Sequence, residues 1–231
     1  MNSTLPLKKA IFFPFVFVAL TWLIHIVNWS LNGELVYFGT YPRTINHWYG
    51  ILTGALIHGN FDHLISNTLP FLILGTLIFI SYQNIAHKTF IFIYLFTGSA
   101  IFLFARTSFH VGSSGIVYGF ASFLFFIGIF RHDTKSMALA AIVAIFYGGM
   151  VWGVLPLQNG VSWEGHLFGG IAGAIAAFYF RKEEITEVEK EKFEIENKTF
   201  EGFLKEKEQD FLNLEEKTSD FFEKLEDKIR D

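Results

Sequence analysis

HVGSSGIVYGFASFLFFIGIFR, residues 110–131, joins a glycine-flanked serine pair to an apolar run that meets no charge until Arg131. A helix crosses the hydrocarbon core of a bilayer with roughly 20 apolar residues. Inside lipid every backbone N–H and C=O must be paired within its own segment, so such a run reads as a spanning helix rather than a strand. Outward from it, five more runs approach the same length, at about 10–31, 63–81, 88–105, 136–155 and 163–180. The stretch 51–58 is apolar but too short to span. It reads as part of a long, partly membrane-embedded loop over 32–62, rich in the interfacial aromatics Tyr37, Phe38, Tyr41, Trp48 and Tyr49. Pro70 falls inside the second run, where a membrane helix tolerates it. The expected fold is an all-α integral membrane bundle of six transmembrane helices.

Composition agrees with that reading. Of 231 residues 52% are hydrophobic and 18% aromatic, with 29 Phe, and only 17% are charged. Soluble domains carry charge on about a quarter of their residues. The charge is also unevenly placed. Residues 1–181 hold 8 basic and 4 acidic groups, a balance of +4, whereas residues 182–231 hold 10 and 18, a balance of −8. The chain therefore divides into a membrane domain, 1–181, and an acidic, Lys/Glu-rich tail, 182–231. In the tail Phe200, Phe203, Leu204, Phe211, Leu214, Phe221, Phe222, Leu225 and Ile229 recur at three- or four-residue steps, an amphipathic helical pattern. A solvated helix, docked or self-associated, and a coiled coil with a protein partner both fit it; an acidic helix is repelled by anionic lipid.

The first apolar run follows Lys8 and Lys9, exceeds a signal-peptide core and lacks a small-residue cleavage site, so it reads as a retained anchor. Basic residues fall at alternate junctions: Lys8/Lys9, His87/Lys88, Arg131/Lys135 and Arg181/Lys182. Only Arg43 and Arg106 fall on the other side. By the positive-inside rule both termini are expected in the cytoplasm, in a plasma or bacterial inner membrane. Cysteine is absent, which removes disulfide and thiol chemistry. No basic stripe supports nucleic-acid binding, and no cofactor or metal is expected.

Polar groups at membrane depth are costly and are functional candidates by default. Three clusters qualify. In the first, His58-Gly-Asn-Phe-Asp-His63-Leu-Ile-Ser-Asn67, His63 and Asn67 lie four apart on one helix face and both can donate hydrogen bonds. They suit a developing oxyanion, or equally a satisfied polar helix start. In the second, Gly112, Ser113, Ser114 and Gly115 open the fourth span, with Tyr118 on the Ser114 face. A helix N-cap is the plain alternative there. In the third, His166 shares a face with Gly169 and Gly173, a Gly-xxx-Gly stripe that lets helices pack closely. A lone histidine facing a bundle is most often simply hydrogen-bonded. With the N-terminus inside, however, spans two, four and six all start outside, which puts the three clusters at one depth. A serine, a base and oxyanion donors are the parts of acyl transfer.

His63-xxx-Asn67, Gly112-x-Ser114-Gly115 and His166-xx-Gly169-xxx-Gly173, together with His58 and Tyr118, resemble the rhomboid intramembrane serine proteases over about residues 10–181. The resemblance implies a six-helix bundle and a Ser–His dyad without a third member, and its pattern selects Ser114 over Ser113. It implies Ser114 as nucleophile, His166 as general base, and His63, Asn67 and the Ser114 N–H as the oxyanion hole. Tyr118 would pack on the His166 ring. Substrates would be membrane proteins with a helix-destabilised transmembrane segment, reaching the site sideways near spans two and five. Departures are Gly165 where alanine is commoner, His47-Trp48-Tyr49-Gly50 where many relatives carry Trp-Arg, and no Gly-Gly-xx-Glu pattern after Leu74-Gly75. An intramembrane metalloprotease would need His-Glu-xx-His, which is missing between His58 and His63. A non-catalytic rhomboid-like binder of membrane helices is the remaining alternative, although such proteins usually lose the Ser or the His. A transporter would want paired intramembrane charges or internal repeats.

Overall fold

The computed structural model describes residues 7–157 and 160–183, and in the tail 199, 202–205, 207–209 and 211. The chain divides into two compact units, Met1–Glu184 and Ile185–Asp231. The described tail residues are helical, and most of the amphipathic tail pattern lies outside the described residues.

The first unit is built of helices α1 (Leu7–Ser30), α2 (Gly50–Thr53), α3 (Phe61–Ser81), α4 (Gln83–Phe104), α5 (Ser114–Arg131), α6 (Thr134–Tyr147) and α7 (Trp163–Phe180). Named strands are absent among the described residues; a single bridge pairs Thr40 with His110. Among the described residues five helices are long and apolar enough to cross a membrane, the fifth being α6 with its 3-10 continuation to Val154. The sixth expected span, α7, has 18 residues, but Glu164, His166 and a run of glycines occupy its first half. Its face of His166, Gly169 and Gly173 is the one that packs on α5, and all three are buried, as is Glu164. The protein is a helical integral membrane bundle.

Boundaries follow local chemistry. The Asn60 side chain accepts from the His63 N–H and starts α3, Asp133 accepts from Ser136 and starts α6, and Ser162 accepts from Gly165 and starts α7. The third span begins at Gln83 rather than near 88, because Tyr82 alone turns the chain and Gln83, Asn84 and His87 form its polar first turn. The fifth span is α-helical only to Tyr147. At Gly148-Gly149 the chain tightens into a 3-10 turn that runs to Val154, as glycine lowers the cost of leaving the helix.

The core is aromatic. Phe17 stacks on Phe71 at 4.5 Å, and Phe71 meets Phe120 at 5.2 Å, linking α1, α3 and α5. Gly75 lets Pro14 of α1 and Phe120 of α5 close on α3, so span two makes its contacts without a Gly-Gly pair. Trp22 donates to Thr68 at 3.0 Å, the kind of interhelical bond worth about 1 kcal/mol in a membrane. The closest pairing is α5 on α7. A Cβ on Gly169 would overlap the Gly115 carbonyl oxygen, and one on Gly173 the Gly119 carbonyl oxygen. Glycines therefore set the separation of the two helices that carry Ser114 and His166.

The 32–62 loop folds back onto α4. Arg43 donates from Nη1 to the Ala105 carbonyl at 2.6 Å and from Nη2 to Thr107 at 3.2 Å, and its N–H reaches the Phe102 carbonyl. Gly50 packs on Gly39 and Thr40, and Gly98 on the Ile51 carbonyl. An arginine thus fastens the loop where Trp-Arg is absent.

Candidate active site

Helix α5 starts at Ser114 and presents its hydroxyl toward α7. There the Ser114 Oγ lies 2.9 Å from His166 Nε2. The other ring nitrogen, Nδ1, lies 2.8 Å from the Gly153 carbonyl oxygen. A carbonyl only accepts, so Nδ1 carries the proton and Nε2 offers its lone pair to the Ser114 hydroxyl. Tyr118, one turn after Ser114, lies flat on the imidazole at 4.1 Å with 5° between the planes. An imidazole held on both sides in this way can take a proton from the hydroxyl without reorienting.

His63 faces Gly112, whose backbone adopts φ +110, and a Cβ there would overlap the imidazole. Glycine serves both needs: it adopts the left-handed region freely and leaves the ring its space. The His63 ring is half-buried and approaches the segment just before Ser114. Asn67 is buried, and its amide donates back to the His63 carbonyl at 2.8 Å. One of its two amide hydrogens is thus occupied within α3. Gly115 lies against Thr97 and the Gly165 carbonyl, so it belongs to the α5–α7 seam.

His58 pairs with Ser113 rather than with Ser114. It is fully buried, and its Nε2 accepts from the Ser113 N–H at 3.3 Å, with the Ser113 hydroxyl at the same distance. The two serines are thereby separated: Ser113 pairs with His58 and Ser114 with His166. Around His58 stands a network with no counterpart in the motifs. His25 Nδ1 and the Asn28 amide of α1 both donate to the His58 carbonyl, at 3.1 and 3.3 Å. Asn28 Oδ1 accepts from the Leu35 N–H.

A second cluster, partly buried, fixes the start of α7. His110 donates from Nε2 to the Arg106 carbonyl and accepts at Nδ1 from the Ser162 hydroxyl at 2.6 Å. Arg106 reaches the Val161 carbonyl at 2.6 Å and lies 3.5 Å from the buried Glu164. Isolated basic residues opposite the positive-inside side, such as Arg43 and Arg106, were the one sequence signal for these anchors.

Burial, and then the neighbouring His63 and His25, lower the His58 pKa to about 3. Burial also lowers that of His110. An unfolded histidine titrates near 6.5, so between those values the unfolded chain binds more protons than the folded one. Stability is then full above about pH 6.5 and falls as pH drops, by up to about 1.4 kcal/mol per pH unit from His58. Thermal melting in detergent from pH 7 to pH 5 should show this loss, and His58→Asn should flatten it. A melting temperature that ignores acid would contradict the assignment.

The Rhomboid domain family model matches residues 45–183, from the first loop to the end of α7. An uncharacterised protein of Mycobacterium tuberculosis is 30% identical over 171 residues, covering 70% of this chain and 71% of its own. The putative rhomboid protein of Acanthamoeba polyphaga mimivirus is 27% identical over 159 residues, 64% of this chain and 82% of that protein. The rhomboid protease GluP of Bacillus subtilis is 29% identical over 180 residues, 71% of this chain but only 34% of GluP. The match holds α2 through α7, the same helices that bring Ser114 to His166, and by it the chain belongs to the rhomboid family.

Proposed function

We propose that the protein is an intramembrane serine endopeptidase that cleaves transmembrane segments of other membrane proteins near the extracytoplasmic face. The observation that carries this reading is the 2.9 Å contact from Ser114 Oγ to His166 Nε2, with Nδ1 already committed to the Gly153 carbonyl. Ser114 attacks the scissile carbonyl while Nε2 takes its proton. The negative oxygen that forms is stabilised by the Ser114 N–H at the start of α5, where helical amides have no intrahelical acceptor, and by His63. Asn67 joins once its amide turns from the His63 carbonyl. The imidazolium then gives the proton to the leaving amine nitrogen. Water, deprotonated by His166, hydrolyses the acyl-serine and restores the hydroxyl.

A substrate helix has its carbonyls hydrogen-bonded, so the cut falls where small or helix-breaking residues let it unwind. The span of α6 and its 3-10 continuation is peripheral, only 11% buried against 56% for α5, which fits sideways access next to it. Basic residues at alternate junctions support cytoplasmic termini and hence an extracytoplasmic site. No cofactor enters any step. A protein partner for the 182–231 tail belongs to the same proposal and is tested by deleting it.

Purified protein in detergent, treated with a fluorophosphonate probe, should be labelled on Ser114. Labelling should vanish in Ser114→Ala. A signal that survives that substitution, or a wild-type protein that never reacts and never cleaves a single-span substrate, would remove the reading.

A further inference from the structure

The motifs supply a serine and a histidine but no carboxylate to orient the histidine. In triads that third group holds one tautomer and one ring position. In this chain the same position is taken by a backbone carbonyl. We infer that Gly153 is the positioning residue of the dyad, its carbonyl holding His166 in the Nδ1–H tautomer while its missing side chain keeps the Tyr118 ring in place. The inference rests on the protease reading for its consequences, though its first measurement does not.

Three observations converge on Gly153. Its carbonyl oxygen lies 2.8 Å from His166 Nδ1, a normal hydrogen bond. A Cβ at this residue would overlap the Tyr118 hydroxyl and sit 3.3 Å from His166 Nδ1, so any side chain would displace the stack that sandwiches the imidazole. The carbonyl can reach the ring only because α6 ends at Tyr147 and the chain continues as the 3-10 turn Gly148–Val154. A 3-10 turn rises about 2.0 Å per residue against 1.5 Å for an α-helix, which carries Gly153 further along the bundle.

Without this acceptor a neutral imidazole would place its proton on either nitrogen. The Nε2–H form cannot accept from the Ser114 hydroxyl, so every molecule in that form is inactive. The acceptor also strengthens the base as it charges, because Nδ1–H donates more strongly from an imidazolium. The segment that supplies it extends the least buried of the five apolar spans. The basicity of His166 toward Ser114 is thus tied to the seating of the 148–154 turn.

Nitrogen-15 spectra of the histidine-labelled full-length protein, with His166→Gln to assign the signal, read the tautomer directly. A protonated Nδ1 and an unprotonated Nε2 are expected at neutral pH. Replacing the Gly153–Val154 amide by an ester, with the α-hydroxy analogue of valine at 154, weakens the carbonyl as an acceptor and adds no side-chain atom. That variant should shift His166 toward the Nε2–H form and slow fluorophosphonate labelling roughly tenfold, the size of one modest hydrogen bond. Gly153→Ala should do the same. Combined with Tyr118→Phe, which removes the overlapping hydroxyl, it should label at the rate of Tyr118→Phe alone. A wild-type Nε2–H tautomer would overturn the inference. So would an ester variant that loses activity with an unchanged tautomer, since that is the mark of a merely structural turn. If the wild type shows the Nδ1–H form but no hydrolytic activity, the protease reading fails while the positioning role stands.

Discussion

Cleavage of a single-span membrane substrate is expected to fall by roughly 10⁴-fold or more in His166→Ala, with folding close to that of the wild type. In the proposed reaction the imidazole accepts the Ser114 proton, later donates one to the leaving nitrogen, and then activates water, so its loss would touch every step. Ser114→Ala should cost as much, and the double variant little more, because residues that act as a unit are not additive. Melting should shift by only a few degrees. The ring is buried and packs on Tyr118, and removing it costs on the order of 1–2 kcal/mol of contacts. Initial rates on a fluorogenic transmembrane peptide, set beside thermal unfolding, separate the two effects. A His166→Ala protein with more than a hundredth of wild-type activity would show that another group serves as the base.

The largest structural effect is expected from Gly169→Val. The position sits on the α5–α7 seam, where even a Cβ would overlap the Gly115 carbonyl oxygen, a backbone atom that no rotamer change can move. Overpacking a core costs about 1–3 kcal/mol when side chains can give way, and more when backbone must. To admit valine the two helices must separate, and with them Ser114 and His166, whose hydrogen bond has little slack at 2.9 Å. Gly173→Val should behave alike through the Gly119 carbonyl. Ile171 and Ile175 are neighbours on α7 but about 40% exposed to the lipid side. Ile171→Ala and Ile175→Ala should lower the melting temperature far less. Equal melting curves for Gly169→Val and Ile171→Ala would mean that the glycine stripe does not set the helix separation.

The acid sensitivity expected from His58 belongs to the same end of the bundle. That ring, the His25 and Asn28 donors to its carbonyl and the Ser113 N–H form one buried network. Protonating His58 removes the lone pair that accepts from Ser113, one residue before the reactive hydroxyl. Stability should therefore fall from about pH 6.5 downward, whereas the Ser113 contact in the folded protein is lost only near pH 3, where the buried ring itself takes up a proton.

The amino-acid sequence alone determined the spans, because lipid forces long apolar runs to become helices whatever their neighbours are. It also marked the clusters that hold His63, Asn67, the Ser113–Ser114 pair, Tyr118 and His166, since polar residues at membrane depth are conspicuous and four-residue spacing assigns them to helix faces, while the choice of Ser114 over Ser113 came from the family resemblance. Tertiary structure alone decided the rest. That Ser113 goes to His58 and Ser114 to His166, that His25 and Asn28 brace the His58 carbonyl, and that Gly153 ends up on His166 all depend on contacts between distant segments. Several of them run through backbone carbonyls, which every residue carries and which no side-chain pattern can reveal.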